Sequence, residues 1–91
     1  MAARTRLAIR PEDSRKEVLG GKASIERATA IKWAGRAIAA WKLYEERREI
    51  AWRDDAVEYA SEAIEHGAAS GSDAVLRTVR HALRRASPTL V

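Results

Sequence analysis

Cysteine is absent from the chain, which removes a disulfide framework, a thiolate nucleophile and any cysteine-ligated zinc from consideration. Phenylalanine is absent too, leaving three tryptophans and two tyrosines as the only aromatic side chains in an alanine-rich sequence. That composition suits helices packed closely around a few large anchors and serves strand-rich folds poorly. No apolar run reaches the length of a membrane span; residues 28–43 come nearest, and Lys32, Arg36 and Lys42 interrupt them. The first ten residues carry Arg4, Arg6 and Arg10 without an apolar run of signal-peptide length. The expectation is a soluble protein without a membrane partner, cytoplasmic by default.

Recognisable catalytic motifs are missing as well. No glycine-rich phosphate loop, nucleophile elbow or zinc-protease motif occurs. The paired acids Glu45–Glu46 and Asp54–Asp55 lie in strongly charged surroundings, where perturbed pKa values are least expected. Glu62 and His66, four apart on a helix, share a face with metal-ligand character. Ferritin-like di-iron helices, however, place a Glu and a His three apart, and here position 63 is Ala63 while Glu65 directly precedes His66. Both histidines, His66 and His81, would have to be recruited with carboxylates from a second helix or chain to hold an ion. The chain is therefore read as non-enzymatic, with no metal site and no cofactor.

What is present is charge, and it is segregated. The net charge of +4 divides into +3 over residues 1–22, +3 over 23–44, −5 over 45–66 and +3 over 67–91. An acidic segment between basic ones satisfies part of its own electrostatics, within a protomer or between protomers, which argues against one uniform polyanion-binding surface.

Ninety-one residues suffice for one domain with a modest core. Residues 1–22 read as an N-terminal arm. Pro11, Glu12 and Asp13 suit a helix start, Gly20 and Gly21 a stop, and Leu7, Ile9, Val18 and Leu19 are enough to dock the arm but not to build a core. The arm is expected either as a short helix or as a disordered segment.

The helical domain spans 23–87. Ser24 suits an N-cap for a helix running at least to Tyr44, in which only Gly35 interrupts good helix formers. Ala30, Ile31, Trp33, Ala34, Ala37, Ile38, Ala40, Trp41 and Tyr44 cover well over half its circumference. A helix apolar over so wide an arc meets more than one neighbour, so Ile31, Trp33, Ala34, Ile38, Trp41 and Tyr44 are expected to form an oligomer interface. Past Tyr44 two readings stand. The helix either continues through 45–55, supported by the Glu49–Arg53 pair, or breaks at Asp54–Asp55, where Asp55 and Glu58 have capping-box spacing. A second helix carrying Ala56, Val57, Tyr59, Ala60, Ala63 and Ile64 should stop at Gly67. Ser72 and Asp73 then open a last helix with Val75, Leu76, Val79, Ala82, Leu83 and Ala86 on its apolar face, folded back antiparallel to the second. Pro88 ends the regular structure, leaving 88–91 as a tail.

The expected fold is thus all-α: a small helical bundle of one long apolar helix and two shorter ones, completed by homo-oligomerisation. Its expected role is that of a non-enzymatic interaction module, an oligomeric scaffold or adaptor with a possible protein partner.

A second expectation concerns nucleic acid. Arg77, Arg80, Arg84 and Arg85, with His81, give the last helix a basic face on which phosphates can bind. The alternative is that these arginines face Glu58, Glu62 and Glu65 or simply solvate the surface, and positive charge late in a helix stabilises its C-terminal end in any case. If Glu49–Arg53 forms a strand, with Ile50 and Trp52 on one side, the order strand–helix–helix over 49–86 resembles that of ribbon-helix-helix repressors. That resemblance implies a dimeric DNA-binding regulator. Trp33, Trp41 and Trp52 read as packing anchors; if one of them is exposed, Trp52 is the best candidate, because its neighbours are charged.

Overall fold

The computed structural model describes residues 11–91, with side chains described from residue 21 onward. The first ten residues of the expected arm, and the side chains of Val18 and Leu19, lie outside the described residues. The described residues form three helices and no strand: α1 (Pro11–Arg47), α2 (Ile50–Ala69) and α3 (Asp73–Ala86), followed by a 3-10 turn at Pro88–Leu90.

Helix α1 begins at Pro11 but does not end at Gly20 and Gly21; it runs 37 residues without a break, about 55 Å at 1.5 Å per residue. Glycine in a helix interior costs about 1 kcal/mol relative to alanine, but it does not forbid helical backbone angles. With no proline after the glycines, the helix continues. The chain leaves α1 at Arg48, which adopts a left-handed φ of 58°, and at Glu49, which is extended (φ −87°, ψ 123°). The Arg48 N–H still donates to the Tyr44 carbonyl at 2.7 Å, and its guanidinium lies 5.8 Å from the Tyr44 ring centroid. Glu49 opens α2: the Trp52 N–H donates to its carbonyl at 3.0 Å, and the Trp52 indole N–H to its Oε1 at 3.1 Å.

Both sequence-based readings of this junction are therefore corrected. No single helix spans 45–55, and the break falls at Arg48–Glu49 rather than at Asp54–Asp55, both of which lie inside α2. The stretch 50–53 is helical, so the strand required by the ribbon-helix-helix resemblance does not form. The physical reason is the pairing of stripes. A reversal here lays Ala56, Ala60, Ala63 and Gly67 against Ala30, Ala34, Ala37 and Trp41, whereas a continuous helix would leave both stripes exposed.

The α1–α2 pair is antiparallel, with Glu26 facing His66 and Trp33 facing Tyr59. Positions 30, 34, 37 and 41 on one helix, with Ala40 buried beside them, and 56, 60, 63 and 67 on the other alternate in steps of four and three, the spacing of helices packed along their length. Side chains this small set the interaxial distance toward the lower end of the usual range of about 8–10 Å. Trp33 and Tyr59 (ring centroids 5.4 Å apart) and Trp41 and Tyr44 (5.1 Å) supply bulk along the seam.

Gly67 does not stop α2, which continues to Ala69. It is buried where α3 crosses: a methyl group at this position would lie 3.4 Å from Leu76 Cδ1 and 3.5 Å from the Leu76 Cα. The turn belongs to Gly71, at φ +74°, whose N–H donates to the Ala68 carbonyl at 3.1 Å. Ser70 holds it in place, donating from Oγ to the Gly67 carbonyl at 2.6 Å and accepting from the Ser72 N–H at 3.3 Å. Ser72 caps α3 as the sequence indicated, its Oγ accepting from the Val75 N–H at 3.3 Å.

Val79 and Leu83 of α3 enter the core and are its two largest fully buried side chains. Ala74 and Val75 lie near Arg27, and Ala82 near Ile38, so α3 runs parallel to α1 and antiparallel to α2. Residues 88–91 are not a loose tail. Ser87 Oγ accepts from the Thr89 N–H at 3.1 Å, and the turn it starts drives Leu90 into the core at 3% exposure.

Candidate functional site

Among the described residues, α2 and α3 both pack against the broad apolar arc of α1. Four of the six residues expected at an oligomer interface are engaged within the protomer. Ala34 and Trp41 are buried against α2, Trp33 is half-buried on Tyr59 with the Arg36 guanidinium 5.0 Å from its ring, and Tyr44 is half-buried between Trp41 and Arg48. The Trp41 indole N–H is buried without a hydrogen-bond partner among the described residues.

Ile31 and Ile38 are placed differently. Ile31 is 57% exposed and Ile38 half-buried, and together they form one wall of an open groove of about 250 Å³ whose other wall is Thr78, Val79 and Ala82 of α3. Gly35 lies between the two isoleucines, and a methyl group built on it would meet nothing within 4 Å. Toward the α3 N-terminus the groove continues past Arg27, Ala74 and Val75 with a further volume of about 190 Å³. Sequence reasoning missed the α3 wall, because Val79 reads as core and Thr78 as surface. The one signal in the sequence was Gly35, a helix-weakening residue midway between Ile31 and Ile38.

The basic side chains of α3 occupy a different face. Arg77, Arg80, His81 and Arg84 are all exposed and line a shallow depression of about 420 Å³ with Leu76 and Asp73. Arg85 is exposed but does not line it. Pairing of these arginines with Glu58, Glu62 and Glu65 does not occur: among the described residues no ion pair within 4.0 Å joins α3 to α2.

His66 is held by carboxylates from both helices. Its Nδ1–H donates to Glu26 Oε2 at 3.0 Å, and Nε2 lies 3.7 Å from Glu62 Oε1. The two carboxylates meet opposite edges of the ring and do not converge on a common point, while Glu65 is exposed to solvent. Among the described residues no three His, Asp or Glu side chains are grouped to hold a metal ion, and no helix is long and apolar enough to cross a membrane. No protein-family model, curated protein or solved structure matches the chain.

Proposed function

We propose that the chain is a helical interaction module that self-associates by seating a helix of a second copy in the groove between α1 and α3. The observation that carries this reading is Gly35. A glycine inside a helix weakens it by about 1 kcal/mol relative to alanine, and no described residue of the protomer comes within 4 Å of where the missing methyl group would stand. A bare backbone flanked by Ile31 and Ile38 is what a second helix requires in order to approach closely.

The composition of the core supports the same reading. Among the described residues Leu83, Val79, Leu90 and Trp41 are the only large apolar side chains in the buried core, while Ile25, Ile31, Ile50 and Val57 remain exposed. A protomer with so little large apolar burial gains stability from a partner, and a closed symmetric pair of identical chains is the commonest way to supply one. The acidic and basic segments would then select orientation more than affinity.

Molar mass by light scattering after size exclusion, at low and high salt, tests the proposal. Wild type is expected as a dimer or larger at both salts, and Gly35→Trp, which fills the groove, as a monomer with an unchanged helical circular-dichroism spectrum. A wild-type monomer across the concentration range, or a Gly35→Trp variant of unchanged mass, would overturn it.

A further inference from the structure

The geometry points to a second binding surface, independent of the groove: the Arg77–Arg80–His81–Arg84 stripe of α3 binds the phosphate backbone of a nucleic-acid duplex. Positions 77, 80, 81 and 84 fall on one helix face, and the three arginines span about 10 Å along the axis. All four side chains are exposed around one continuous depression, and no acid on α2 neutralises them among the described residues. Stabilisation of the helix end does not account for them, since that effect falls off within the last turn and Arg77 and Arg80 lie before it. The cations of α3 other than His81 are arginine without exception, the side chain whose planar fork grips phosphate oxygens in pairs.

What the stripe lacks identifies the partner further. Beyond the single imidazole of His81 it carries no aromatic side chain on which successive unpaired bases could stack, which disfavours a single strand. A membrane-surface helix needs a free apolar face; that of α3 is spent on the core through Val79 and Leu83, and among the described residues no large hydrophobic lining the stripe is exposed. Phosphates presented in register by a duplex fit an array of arginines at helical spacing. Recognition of this kind positions the protein without reading base sequence. The expectation drawn from sequence is narrowed accordingly: Arg85 leaves the basic face that makes contact.

Fluorescence anisotropy with labelled 20-base-pair DNA and RNA duplexes of unrelated sequence tests the assignment. Three phosphate contacts predict an affinity loss of about 40-fold between 50 and 200 mM salt. Arg80→Ala/Arg84→Ala leaves one contact, reducing that loss to about 3- to 4-fold and weakening binding at 50 mM, while Arg80→Lys/Arg84→Lys keeps most of the salt dependence. The relative affinity of the DNA and RNA probes identifies which duplex is preferred. Absence of duplex binding at 50 mM salt, an unchanged salt dependence in the alanine variant, or binding to phosphatidylserine vesicles in place of either duplex would each overturn the assignment. The substituted side chains are exposed, so an unchanged circular-dichroism spectrum certifies the variants.

Discussion

His66 Nδ1 and Glu26 Oε2 lie 3.0 Å apart, although forty residues separate them in sequence, and their contact ties the last turn of α2 to α1. Both side chains are mostly shielded, with 29% and 21% of their surface exposed. A hydrogen bond in such a setting contributes about 0.5–1.5 kcal/mol. A double-mutant cycle on Glu26→Ala and His66→Ala, followed by urea denaturation, should give a coupling energy in that range. Strict additivity would show that the contact contributes nothing in solution.

Trp41 combines heavy burial with an indole N–H that finds no acceptor among the described residues. Trp41→Phe removes the orphan donor along with some volume, and the two effects oppose each other, so stability should change by less than about 1.5 kcal/mol. Trp41→Ala keeps only the loss of volume and should cost about 3–5 kcal/mol. If Phe proves as damaging as Ala in chemical denaturation, the indole N–H is satisfied in solution.

Arg48 holds a left-handed backbone conformation that costs a non-glycine residue roughly 1–2 kcal/mol. Arg48→Gly relieves it while surrendering the contact with the Tyr44 ring, worth about 0.5–1 kcal/mol at an exposed site. The net expectation is a small gain, about 0.5 kcal/mol, read as a higher denaturation midpoint. Arg48→Val, whose branched side chain tolerates this conformation poorly, should move the midpoint the other way.

Leu90 is nearly the last residue and is 3% exposed. Leu90→Ala should therefore cost about 2–4 kcal/mol, as for a leucine inside a helix bundle. Thr89, its exposed neighbour, should tolerate alanine within about 0.5 kcal/mol. Equal, negligible effects at both positions would show that the 3-10 turn does not dock.

Local chemistry was readable at some positions and not at others: Ser24, expected as the N-cap of the long helix, lies inside α1. Pro11 at the start of α1, Ser72 capping α3 and the apolar face led by Val79 and Leu83 all stand where sequence placed them. Glycine was the less faithful guide. Gly20, Gly21 and Gly67 read as stops, yet only Gly71 has a left-handed φ; helical glycine is costly but allowed, and whether the helix stops depends on the residues C-terminal to it. The Arg48–Glu49 reversal left no local sign, because neither residue is a usual turn former. It arises from the two alanine stripes, whose pairing is a long-range property of the chain. That pairing also draws Ala34 and Trp41 into the protomer, which reading α1 alone could not anticipate.

The alanine seam between α1 and α2 has a thermal consequence. Methyl groups bring little apolar surface out of water, and the heat-capacity change of unfolding scales with that surface. The protomer should therefore unfold with a heat-capacity increment below the usual value of about 12–15 cal/mol/K per residue, giving a flat curve of stability against temperature. Such a protein weakens little on cooling, so its hairpin should stay closed at temperatures where proteins with cores of leucine and phenylalanine have begun to lose their advantage.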